Sequence, residues 1–316
     1  GSTAERAREP HPDSVIRAAT GRVVPLKVHR CQWSGDFPEN SLAAITECFR
    51  VGVARAEIDL QPLADADFVV LHDAVVDETT TGTGAPGDLT RAEAQSLRLR
   101  VAGRASSERP PLFSEVVALI QTLPSPMLLE LDLVAFRPLP WPRVEELVRL
   151  IEPVRDRVFL NGYDWNMRRV LEVDAALPVA YDLFPHLDWV PAGDPEEAEL
   201  GLPRGAYGYL DAHPLARERL TSAADYLEDR LRVLAREVPG ARELHVRLGT
   251  FEHMLDDGVA VADLLHAQGL RLDIWTLNAD LPSWRERLAR ALAAGVDVIT
   301  SDTPRALAAA ARDGVR

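Results

Sequence analysis

The stretch that decides the fold is Arg55-Ala-Glu-Ile-Asp-Leu-Gln-Pro-Leu-Ala-Asp-Ala-Asp-Phe-Val-Val-Leu-His-Asp73, where strand-forming apolar residues are interrupted by acids and end on a histidine. Alternate side chains of a strand share a face, so Glu57 and Asp59 point the same way. Two carboxylates beside apolar neighbours repel each other unless a cation lies between them, and a divalent metal ion meets that need. A salt-bridge network with neighbouring arginines is the competing account. The segment Leu63 to Asp67 is too short for the crossover that parallel strands require. Phe68-Val-Val-Leu71 is therefore expected to return antiparallel and to bring His72 back toward the acids.

Composition bounds what such a site can belong to. With 316 residues, 47% hydrophobic and 27% charged, the chain has the make-up of a globular protein, either two domains or one large α/β barrel. A formal net charge of -14 argues against a nucleic-acid binder, which needs a basic face, but not against a small anionic substrate held through a metal. Cys31 and Cys48 are too few for a disulfide scaffold, which points to a reducing, cytoplasmic setting. Gly1-Ser2 has the look of a cloning remnant, so secretion after removal of an export signal stays open. No apolar run reaches transmembrane length. The oligomeric state is not legible.

The rest of the chain alternates strands and helices. Residues 1–21 read as a polar N-terminal arm, and residues 22–316 as a single domain with an excursion at about 74–110, where the Gly/Thr-rich run 79–87 has no periodicity. Val23-Val-Pro-Leu-Lys-Val28 leads into His29-Arg30, and Ser41 is placed to cap a helix beginning at Leu42. Met127-Leu-Leu-Glu-Leu-Asp-Leu133 puts a second acidic pair, Glu130 and Asp132, on one strand face. Further strands are expected at 158–163, 178–183, 244–248, 271–277 and 296–300, with helices at 112–123, 142–152, 165–174, 221–237, 259–268 and 283–294. Leaving out the returning hairpin strand, eight parallel strands remain, which gives a (β/α)₈ TIM barrel.

His29-Arg30, Pro38-Glu-Asn-Ser41, Glu57-Ile-Asp59, His72-Asp73, Thr79-Thr80, Glu130, Trp275-Thr-Leu-Asn278 and Gly295-Val-Asp-Val-Ile-Thr-Ser-Asp302 together resemble the ordered motifs of the glycerophosphodiester phosphodiesterases. The resemblance implies a TIM barrel of the phospholipase C-like phosphodiesterase type with a small insertion after the His-Asp motif, and a role in lipid metabolism. It implies one Mg²⁺ or Ca²⁺ ion held by Glu57, Asp59 and Glu130, with His29 and His72 as acid and base. It places Arg30, Glu39, Asp132 and Trp275 around the substrate. The expected reaction is metal-dependent cleavage of a small glycerophosphodiester-like molecule. A lyase or transferase stopping at a cyclic phosphate, like the family's phospholipase D toxins, and a non-catalytic phospholigand-binding barrel are the alternatives.

The chemistry suits these residue types. A divalent ion relieves the charge that makes a phosphodiester a poor electrophile, and two imidazoles can divide proton removal and proton donation. Arg30 is suited to a phosphate oxygen. Several positions depart from the family pattern. Glu130-Leu-Asp132 stands for Glu-x-Lys, Glu78-Thr-Thr80 for Arg-Thr-Thr, Ser301-Asp-Thr-Pro304 for Thr-Asp-Arg-Pro, and Cys31 for glycine. Losing three cations points to a diverged substrate, with Asp132 joining the metal or meeting a hydroxyl or cationic group. Lys27, the only lysine, shares a strand face with His29. It is read either as an interior partner of the acids or as a residue reaching solvent through the barrel bottom.

Overall fold

The structure is a computed structural model that describes residues 8–198 and 200–314. Eight parallel strands close on themselves: β1 (Val23–Val28), β2 (Arg55–Pro62), β3 (Leu128–Leu133), β4 (Val158–Gly162), β5 (Val179–Asp182), β6 (Glu243–Arg247), β7 (Arg271–Trp275) and β8 (Val298–Ser301). Closure runs through the pairing of β8 with β1 and of β1 with β2. Helices follow the strands and lay their apolar stripes on the barrel, so that one continuous core fills the space between the two layers.

Local chemistry accounts for the first units. Ser41 Oγ accepts from the Ala44 N–H at 3.1 Å and starts the helix Leu42–Val51. Gly52, in the left-handed region at φ 76°, ends it. The returning strand Phe68–Val70 is antiparallel to β2, with Leu60 opposite Val70. Gln61 donates through Nε2 to the carbonyls of Leu71 and Asp73 at 2.7 and 2.9 Å, which pins the backbone on both sides of His72.

Three features differ from the expectation drawn from the sequence. Val15–Arg17, inside the stretch read as an arm, forms a strand antiparallel to the first half of β1 and buries Val15 and Ile16; residues 1–7 of that arm lie outside the described residues. The excursion is not featureless. It carries the helix Arg91–Ser96, opened by a capping box between Thr90 and Glu93, and packs Val76, Leu97 and Leu99 against Leu63, Val69 and Leu71 of the hairpin in a small second apolar cluster. Finally, Leu248–Asp256 is helical directly after β6; Gly249 near its start hid it. No helix among the described residues is long and apolar enough to cross a membrane.

Candidate metal centre and active site

Strands β2 and β3 run in register, Glu57 beside Glu130 and Asp59 beside Asp132, so four carboxylates enter the barrel from two neighbouring strands. They do not form one cluster. Glu57, Asp59 and Asp132 have ligand oxygens within 4.8 Å of one another, while Glu130 belongs to a second group with Glu243, His245 and Asp273. The sequence reading put Glu130 in the metal shell. In the structure it is Asp132 whose carboxylate oxygens lie with those of Glu57 and Asp59.

What draws Glu130 away is Lys27. Its Nζ lies 2.7 Å from Glu130 Oε2 and 2.7 Å from Asp273 Oδ2, which decides between the two readings of this lysine in favour of the interior. Arg55 reaches Glu130 at 3.3 Å and Glu243 at 2.9 Å. His245 Nε2 sits 3.2 Å from Glu243 and 3.6 Å from Glu130. None of these six groups is more than 4% exposed. Burial alone would lower the Lys27 ammonium, yet Asp273 and Glu130 hold it above its ordinary value. The same balance keeps His245 raised and Glu243 well below its ordinary value despite burial, the latter through Arg55 and His245.

The outer cluster meets basic groups only at its edge, Arg30 at 3.5 Å from Asp59 and His29 at 3.8 Å from Glu57. Burial, then the charge of Asp59, pushes the Glu57 carboxyl well up; burial, then Asp182 and Asp59, does the same to Asp132. Asp182 itself is raised to about 6, chiefly by burial. Asp59 goes the other way: hydrogen bonding from Glu57 and the charge of His72 outweigh its burial. Glu57 Oε1 is buried with no hydrogen-bond partner among the described residues. An orphaned carboxylate oxygen within an all-oxygen donor set fits a hard divalent cation.

Around the cluster the backbone is specialised. Arg30 and Cys31 both lie in the left-handed region, at φ 51° and 57°, which is why glycine is the easier residue where Cys31 stands. This bend turns the Arg30 N–H onto Glu57 Oε2 at 3.0 Å. The Arg30 guanidinium meets Glu39 at 2.8 Å and approaches Asp59 at 3.5 Å. Asn40, also left-handed at φ 59°, donates to Asp59 Oδ2 at 2.9 Å and accepts from the Asp59 N–H.

The histidines stand on either side. His29 Nε2 is 3.8 Å from Glu57, and its Nδ1 is 2.7 Å from Asp302 Oδ1. Asp302 is in turn held by Asn278, whose Nδ2 donates to Asp302 Oδ2 at 2.8 Å. His72 is more exposed and lies 3.4 Å from Asp73. With Glu39, Asn40, Thr79 and Arg100 it lines a cavity of about 270 Å³ between barrel and insertion. Trp275 ends β7 beneath Arg247, 4.9 Å away. Sequence reasoning quoted Asp302 and Asn278 within motifs without giving them roles, and passed over Asn40 as a ligand-holding group and Arg100 altogether. A polar residue just past a strand end was the available signal for the first two.

Residues 29–176 match the family model described as Glycerophosphoryl diester phosphodiesterase family. Glycerophosphodiester phosphodiesterase 1 of Bos taurus is 40% identical over 89 residues, a match that spans 27% of this chain and 27% of the bovine protein's length. The crystal structure of a glycerophosphoryl diester phosphodiesterase, so named provisionally, from Silicibacter pomeroyi superposes with a TM-score of 0.63 at 19% identity, covering 92% of this chain and 94% of that one. An Oleispira antarctica phosphodiesterase solved with the product sn-glycerol-3-phosphate superposes at 0.57 and 18% identity, covering 91% and 96%. At these identities the structural likeness is one of fold.

Proposed function

We propose that this chain, whose residues 29–176 match the glycerophosphoryl diester phosphodiesterase family model, is a divalent-metal-dependent phosphodiesterase of that family acting on a glycerophosphodiester-type small molecule. The observation that carries the reading is the close carboxylate triad of the buried Glu57 and Asp59 and the part-buried Asp132, met by a guanidinium only at its edge, where Arg30 stands 3.5 Å from Asp59, and set beside a histidine that an aspartate orients. In this reading the triad holds one Mg²⁺ or Ca²⁺ ion, which supplies charge neutralisation for the phosphodiester. Asp132 takes the ligand position that the sequence assigned to Glu130, so a carboxylate rather than a lysine at this strand position follows from the site's own needs.

The chain's residues then divide the remaining work. Asp302 accepts from Nδ1–H of His29 and so fixes the tautomer, leaving Nε2 toward the carboxylates as the atom that takes or gives a proton. His72, at the mouth of the insertion cavity, is the second proton-transfer group, placed by the Gln61 clamp on its flanking carbonyls. Arg30 and Arg100 offer cations to the phosphate from the β1 and insertion sides. Support for the substrate class comes from the family match and from the product bound by the Oleispira protein.

The test is turnover of a panel of phosphodiesters with Mg²⁺, with Ca²⁺ and with chelator, in the wild type and in His29→Ala and His72→Ala. Expected are activity only with a divalent ion and a loss of about 10² to 10⁴ in turnover in either variant. Full activity in chelator would sink the metal assignment, and no turnover of any phosphodiester would sink the activity.

A further inference from the structure

The catalytic rim is made of two unlike halves. Strands β1 and β2, with the insertion, present His29, Arg30, Glu57, Asp59 and His72. Strands β3, β4, β5 and β7 end on rings instead: Phe136 follows β3, Tyr163 and Trp165 follow β4, Phe184 follows β5, and Trp275 ends β7. These rings touch in series. Trp275 meets Phe184 at 5.8 Å between centroids and Phe184 meets Tyr163 at 5.9 Å; Tyr163 stacks on Trp165 at 4.9 Å, and Phe136 stands edge-on to both.

None of the five rings belongs to either apolar cluster of the described residues, so they form a second, superficial layer rather than core. Phe136 is 53% exposed. The layer is nevertheless held: Trp165 Nε1 donates to the Phe136 carbonyl at 2.9 Å, and Arg247 lies over the faces of Phe184 and Trp275 with Asp188 and Glu196 answering its charge. A fixed, partly exposed aromatic surface running outward from a candidate active site is a binding surface by default.

We infer that this wall receives an extended apolar group of the substrate, so that the phosphodiester is amphiphilic, its polar alcohol toward the insertion cavity and its apolar alcohol along the rings. The inference rests on the phosphodiesterase reading and narrows its substrate class. A compact quaternary ammonium fits the wall poorly. It needs ring faces turned toward one point, whereas Tyr163 and Trp165 cover each other at an interplanar angle of 0°, and the Arg247 guanidinium already lies on the other two faces.

The experiment compares sn-glycerol 3-phosphate esters of ethanol and of n-octanol, with calorimetry of ethylphosphonate and n-octylphosphonate binding to the metal-loaded protein. Each methylene laid on the wall is worth up to about a four-fold gain, so kcat/KM for the octyl ester is expected to exceed that for the ethyl ester by on the order of 10²-fold. Trp165→Ala should cut that preference by at least about ten-fold. If Trp165→Ala does not fold, Phe136→Ser at the exposed end supplies the same reading. Equal rates for the two esters together with equal phosphonate affinities would overturn the inference and leave the phosphodiesterase reading standing. No cleavage of either ester, with n-octylphosphonate still bound preferentially, would overturn the activity and keep the wall.

Discussion

Two groups of acids lie inside this barrel, each with ligand atoms within 4.8 Å of one another. The inner one, Glu130, Glu243 and Asp273, is matched by Lys27, Arg55 and His245; the outer one, Glu57, Asp59 and Asp132, has Arg30 and His29 at its margin. Glu57 is as buried as the inner acids and Asp132 only partly, yet the inner Glu243 is driven well below its ordinary ionisation range while the outer Glu57 and Asp132 are driven well above it. Burial by itself pushes every carboxyl up, so the neighbours decide the direction. The comparison teaches which acids of a barrel interior are structural and which are left wanting a cation.

The largest expected effect strikes the inner group. Lys27→Met takes from the buried Glu130 and Asp273 their nearest cation and should cost about 3–5 kcal/mol of unfolding free energy, read from urea denaturation; a midpoint equal to wild type would show that the ion pairs contribute nothing. On the outer group the sign reverses. Asp132→Asn should weaken divalent binding by at least about 100-fold in calorimetry, without lowering the melting temperature of chelator-treated protein. Glu130→Gln should do the opposite, keeping divalent affinity and losing stability, and the pair of variants breaks the comparison if their effects are exchanged.

Smaller effects sharpen it. Asp302→Asn no longer fixes the His29 tautomer by charge and should lower kcat about ten-fold, about 1.4 kcal/mol, with KM and divalent affinity close to wild type; unchanged kcat would leave Asp302 a structural partner only. The smallest effect is in pH dependence. Carboxyls whose folded values are raised stay protonated in the folded chain after the unfolded chain has ionised, so stability falls as pH rises past their ordinary values of 4.5 and 3.8. Chelator-treated protein should therefore lose stability as pH rises above those ordinary values, and Mg²⁺ or Ca²⁺ should flatten that slope. Glu243, lowered, contributes stability above 4.5 that is lost only on acidification through its folded value. A chelated protein whose stability rises across the same window would contradict the uncompensated outer triad.

The sequence by itself determined the barrel, the antiparallel hairpin and the crowding of acids and histidines at one rim. Those follow from local rules: a side-chain period of two places Glu57 with Asp59 and Glu130 with Asp132, a short connection forces Phe68–Val70 back along β2, and alternating strands and helices count to eight. Only the tertiary structure decided which cation each acid meets. Lys27 meets Glu130 across 103 residues and Asp273 across 246, His29 meets Asp302 across 273, and the aromatic wall assembles from separate strand ends. Strand periodicity states which face a carboxylate takes, but not whose charge waits there. That depends on how far a lysine from the first strand reaches into the closed barrel, a distance that exists only once β8 has paired with β1.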